Sequence, residues 1–145
     1  MQTAAGFCRR FWFTYGSGGV AVKYSHVISG EFICRPNRFI AQVRVNDAVE
    51  IVHVKNTGRC RELLVPGCTV YLAKADNPAR KTRYDLIAVQ KECRNGQILW
   101  INMDSQIVND VAEEWLNTGA LFPVGAQIKR EVRFGNSRFD CKSTA

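Results

Sequence analysis

This 145-residue sequence has little that points to metal–thiolate, disulfide or membrane chemistry. Its six cysteines, Cys8, Cys34, Cys60, Cys68, Cys93 and Cys141, form no C-x-x-C pair. With only two histidines they form no Cys/His set of zinc spacing either, which excludes the common thiolate metal sites. Several sit inside apolar, strand-like runs, where a reduced cysteine behaves as a small hydrophobe, so the expected compartment is a reducing cytoplasm. No apolar run is long enough to cross a bilayer. The opening Met1 to Tyr24 is interrupted by Arg9 and Arg10 and shows no small-residue cleavage pattern, so neither a signal peptide nor a membrane partner is expected. Internal repeats and low-complexity tracts are absent as well.

Acidic residues are scarce in the first part of the chain. The net charge of +7 divides unevenly: residues 1–30 carry +3 with no acid, residues 31–84 carry +5, and residues 85–145 carry −1. A one-sided basic excess with a pI near 9.3 fits a partner with a polyanionic backbone, a feature that basic ribosome-associated or merely soluble proteins share. The 46% hydrophobic content supports a packed core.

Residues 1–24 are aromatic and glycine-rich without a period, and no element is assigned to them. From His26 the texture changes. Val27 to Cys34, Phe39 to Val45 and Val49 to Val54 read as three short strands, with Phe39, Ala41, Val43 and Val45 alternating as the core face of the second. Arg59 to Leu64 reads as a short helix that Thr57 would cap and Pro66-Gly67 would stop. Thr69 to Ala73 and Tyr84 to Val89 read as two more strands. Three strands, a short helix and two strands is the order of an OB-fold, one of the small barrels that this pattern fits. Gly96 to Asn102 looks like a further strand. Ile107, Val108, Val111, Ala112, Trp115 and Leu116 then form one apolar helical stripe, read as core-forming, and Ile128 to Phe134 is an alternating strand before a Gly135-Asn136-Ser137 turn.

The stretch His53 to Leu64 gathers His53, Lys55, Asn56, Arg59 and Arg61 around a glycine turn. A helix N-terminus beside cations offers a phosphate both N–H donors and charge; a solvated, Thr57-capped turn is the alternative. Asp76 to Arg83 adds three cations in the loop between strands 4 and 5, which in OB-folds contacts nucleic acid.

Taken together, Gly30 to Phe39, His53 to Arg59, Glu62 to Gly67, Asn77 to Thr82, Asn109 to Leu116 and Arg130 to Asp140 resemble, in order, the bacterial sugar fermentation stimulation protein A family. The resemblance implies an α+β chain: an N-terminal five-stranded OB-fold-like barrel over residues 25–93, then a partial PD-(D/E)xK nuclease-like α/β domain over residues 94–145, with residues 1–24 as an extension. It also implies non-specific DNA binding and a regulatory link to maltose use. Glu114, or its neighbour Glu113, matches the helix glutamate of the nuclease-like site, and Asp140 matches its aspartate and prospective metal ligand. The E-x-K pair has no counterpart here, and both chain ends are expected to reflect a gene fragment or misread frame.

The leading expectation is a DNA-binding protein, not an enzyme in this form. Arg35, Arg38, Lys55, Arg59, Arg80 and Lys81 would meet phosphates, and Asn37, Asn56 and His53 would add hydrogen bonds, positioning the protein without reading bases. Binding would require no cofactor. Mg²⁺ enters only if the nuclease-like site is completed, with Asp140 and Glu114 as ligands and Arg138 on the scissile phosphate. An RNA-binding OB module is the other alternative. Oligomeric state is not legible.

Overall fold

The computed structural model describes residues 24–119, 121–122 and 125–144; the extension expected over residues 1–24 lies outside them but for Tyr24. Within the described residues the chain forms two compact units, Tyr24–Ser105 and the residues from Gln106 onward.

The first unit is built from β1 (Val27–Asn37), β2 (Ile40–Val45), β3 (Ala48–His53), β4 (Thr69–Lys74), β5 (Tyr84–Glu92) and β6 (Ile98–Asn102). They form a sheet in the order β3-β2-β1-β4-β5-β6, and a parallel pairing of β3 with β5 at His53 and Asp85 closes the first five strands into a barrel. This is the expected OB-like architecture, with β6 as an additional strand. The β-branched alternation works as expected: Ala41, Val43 and Val45 of β2 point inward and join Phe32, Val52, Val54, Leu64, Val70, Leu72, Leu86, Val89 and Met103 in the core. Phe39 does not. It lies in the turn before β2 and is half exposed. Gly30 permits the tight wrap of β1 over β2, since a Cβ there would stand 2.5 Å from Val43 Cγ1 and 2.9 Å from the Arg44 carbonyl.

β6 pairs antiparallel with β5 from Ala88–Asn102 to Glu92–Ile98, and Met103 reaches the core. The expected boundary between residues 93 and 94 therefore falls inside a hairpin of the barrel unit, which runs on to Ser105. Gly96, with φ +78°, turns that hairpin.

The expected helix over Arg59 to Leu64 does not form. Residues 61–63 make a turn in which Leu63 and Leu64 both donate to the Cys60 carbonyl, and Cys60 itself has φ +46°, outside any helical path. Ahead of it, Asn56 Oδ1 accepts from the Gly58 N–H in a separate local turn.

The second unit contains α1 (Ile107–Asn117) and the hairpin of β7 (Gln127–Phe134) and β8 (Ser137–Thr144). Its helix has the expected apolar stripe, but none of its residues is buried, and Val108 and Trp115 are exposed. No helix among the described residues is long and apolar enough to cross a membrane.

Candidate nucleic-acid interface

One end of the barrel carries a cavity of about 720 Å³, lined by the end of β1 (Phe32, Cys34, Arg35, Pro36, Asn37), Arg38, and residues Thr57, Arg59, Arg61, Leu64 and Pro66 of the β3–β4 connection. Among the described residues, none that lines it carries a carboxylate side chain. Arg38, Arg59 and Arg61 are exposed there, and none has an acidic partner among the described residues. The Arg38 guanidinium sits 5.5 Å from the centroid of the Phe39 ring.

Arg35 holds the groove together. Its Nη1 donates to the carbonyls of Gly58 (2.6 Å) and Arg59 (3.0 Å), and its Nη2 donates to those of Asn56 (2.7 Å) and Arg38. These bonds tie the β1–β2 hairpin to the β3–β4 connection, and two of them go to the Gly58 and Arg59 carbonyls, where the helix was expected to begin. Asn37 Oδ1 accepts from the Phe39 and Ile40 N–H groups, closing the hairpin turn. The two predicted asparagines are thus turn-forming side chains.

A second cluster takes up other predicted cations. Asp85 and Asp104 are both buried, Asp104 with 1% of its surface exposed. Arg80 forks onto Asp85 at 2.7 and 3.2 Å, His53 Nδ1 stands 3.3 Å from the same carboxylate, and Lys55 Nζ lies 3.0 Å from Asp104 and 3.4 Å from Asp85. The Tyr24 hydroxyl donates to Asp104 at 3.0 Å. Burial would push the Asp85 carboxyl up, but Arg80 and Lys55 outweigh it and hold the group below the usual carboxylate range. Burial likewise works to lower Lys55, while Asp104 and Asp85 bring it above the ordinary lysine value. The cluster surrounds the His53–Asp85 pairing at which the barrel closes. His53, Lys55 and Arg80 thus each face a buried carboxylate. Lys81 is exposed but does not line the groove.

Of the predicted phosphate contacts, the groove brings together Arg38 and Arg59, on a frame made by Arg35, Asn37 and Asn56. Arg61 completes the groove; its place in the same turn was the available signal. Asp85 carried a signal too, as the one acid inside the apolar run Tyr84 to Val89, where a buried carboxylate requires cations nearby.

Residues 33–102 match the family model described as the SfsA N-terminal OB domain. A sugar fermentation stimulation protein homolog from Ruminiclostridium cellulolyticum is 53% identical over 119 residues, covering 82% of this chain and 50% of that protein. The chain belongs to the sugar fermentation stimulation protein family. A homolog from Desulfitobacterium hafniense is 55% identical over the same share. A solved structure of Pyrococcus furiosus SfsA in complex with Ca²⁺ superposes with a TM-score of 0.65 at 32% identity, covering 81% of this chain and 48% of that one. The chain thus spans about half the length of the relatives it matches.

In the second unit, Arg130 bonds Asp110 (2.6 Å) and Glu113 (3.3 Å), and Arg138 pairs with Glu131 rather than standing ready for a phosphate. Asp140 is exposed on β8. Among the described residues no group of three or more His, Cys, Asp or Glu side chains is placed to hold a metal ion.

Proposed function

We propose that this chain binds DNA without sequence preference, through phosphate contacts in the Arg38–Arg59–Arg61 groove. The carrying observation is the convergence of three exposed guanidiniums, none matched by a carboxylate, on one concave surface. Guanidinium forks suit phosphate oxygens, and the Arg35 clamp fixes the two segments that present them, so little ordering is left to do on binding. Family membership and the OB-like barrel are compatible with this reading. The regulatory link to sugar use would follow from such binding.

A hydrolytic role is not part of the proposal. The Pyrococcus furiosus relative was solved with Ca²⁺; among the described residues of this chain no three His, Cys, Asp or Glu side chains group to hold such an ion.

The test is fluorescence anisotropy with the purified chain and labelled DNA across a salt series, with and without Mg²⁺ at matched ionic strength. Binding is expected to weaken steeply with salt, with a log–log slope of roughly −0.7 to −0.9 per phosphate neutralised. Arg59→Ala and Arg61→Ala should each make that slope shallower by roughly one contact, while Lys81→Ala should leave it nearly unchanged. A salt-insensitive affinity, or equal loss in all three variants, contradicts the assignment to this groove.

A further inference from the structure

The groove is not purely cationic. Pro36 and Pro66, both exposed, give its walls apolar surface, and Phe32 and Leu64, both nearly fully buried, close its floor. With a volume of about 720 Å³ it is a concave groove rather than a flat strip. Beside it, Phe39 shows 50% of its surface to solvent under the Arg38 guanidinium.

A duplex presents its phosphates on ridges and keeps its bases stacked inside. It would satisfy the arginines and leave the apolar walls facing water. A single strand can turn a base inward while its flanking phosphates stay at the rim, and every base has a flat apolar face that stacks on aromatic or guanidinium planes. We infer that the groove seats an unpaired base between Pro36 and Pro66, with a neighbouring base on Phe39, so that its ligand class is single-stranded rather than duplex nucleic acid. This rests on the nucleic-acid reading above. Arg38, Arg59 and Arg61 then serve as the phosphate rim, and the clamp by Arg35 keeps the base seat open in the absence of ligand.

The experiment compares three probes on the full chain by anisotropy: an oligothymidylate, an abasic strand of the same length and charge, and the corresponding duplex. Oligothymidylate should bind roughly tenfold tighter than the abasic strand with the same salt slope, since the phosphates are equal and only stacking differs. Phe39→Ala should reduce that ratio, whereas Lys81→Ala, outside the groove, should leave it unchanged. The side chain is exposed and its backbone bond to the Val54 N–H persists, so circular dichroism should be unaltered. Equal affinity for the thymidylate and abasic strands, or tighter binding of the duplex, would overturn the base seat while leaving the phosphate reading standing. Failure of all three probes to bind at low salt would instead remove the nucleic-acid reading itself, and this inference with it.

Discussion

Replacing Arg35 separates two roles that its charge alone would confuse. If the residue served as a phosphate contact, Arg35→Lys would preserve most of its worth, because an ammonium is also a cation. The geometry says otherwise. One planar guanidinium donates to four carbonyls, on two separate segments, and a compact ammonium with three donors on a flexible stem cannot reproduce that fork. The magnitude follows from exposure. The bonds to Gly58, Arg59 and Arg38 are solvent-accessible, so water replaces the lost donor at a cost of about 0.5 kcal/mol each. The bond to the Asn56 carbonyl is partly buried, and leaving that acceptor unmet costs about 1–3 kcal/mol. Arg35→Met should therefore destabilise the barrel by about 3 kcal/mol, equivalent to a fall in Tm of roughly 15 °C for a unit of this size. Arg35→Lys should lose more than half as much. The assay is thermal and urea unfolding followed by far-ultraviolet circular dichroism, with DNA affinity measured on the same samples well below Tm. If Arg35→Lys keeps wild-type stability while Arg35→Met loses only DNA affinity, the clamp is wrong and Arg35 belongs to the binding surface.

The ionic cluster makes further predictions. Asp85 has its folded pKa held down, so its stabilising contribution is complete above the unfolded value of about 3.9 and is lost as pH falls through the lower folded value. Lys55 has its pKa raised, so its contribution is complete below about 10.4 and is lost as pH rises beyond that. The barrel should thus show a broad plateau between about pH 4 and 10, and urea midpoints for Asp85→Asn should lose part of the acid limb; an unchanged acid limb would count against the pairing. Lys55→Met strands Asp104, whose side chain is almost wholly buried, and should cost about 3 kcal/mol in urea unfolding, the low end for breaking a buried pair because Tyr24 still donates to it. Gly30→Ala should destabilise by about 1–3 kcal/mol, since the added methyl meets the Arg44 backbone as well as Val43; a neutral effect would show that β1 and β2 can move apart.

The contrast between what the sequence disclosed and what it hid has a physical origin. Strands were legible because Ala41, Val43 and Val45 alternate with polar neighbours, and that period is decided locally. The barrel was expected from the order of elements, but the one pairing that closes it, His53 with Asp85, was not legible, and neither was the attachment of β6, which only its register with β5 reveals. The helix over 59–64 was a sound local expectation; the chain instead takes φ +46° at Cys60, beside carbonyls of residues 58 and 59 that bond a side chain more than twenty positions away. The candidate site divides along the same line. His53, Lys55 and Arg80 have the residue types of phosphate ligands, but a phosphate would have to compete with Asp85 and Asp104, which already surround them with opposite charge in a desolvated setting. Arg38, Arg59 and Arg61 face no such competitor, because no acid among the described residues lines the groove. Composition counts all of these cations equally. What distinguishes them is where two acids lie in the fold: Asp104 is 49 residues from Lys55 and Asp85 is 32 from His53, separations that no local pattern spans. An acid inside an apolar strand, as at Asp85, marks that some cations will be paired within the fold, and those brought beside it would meet a phosphate only in competition with a carboxylate.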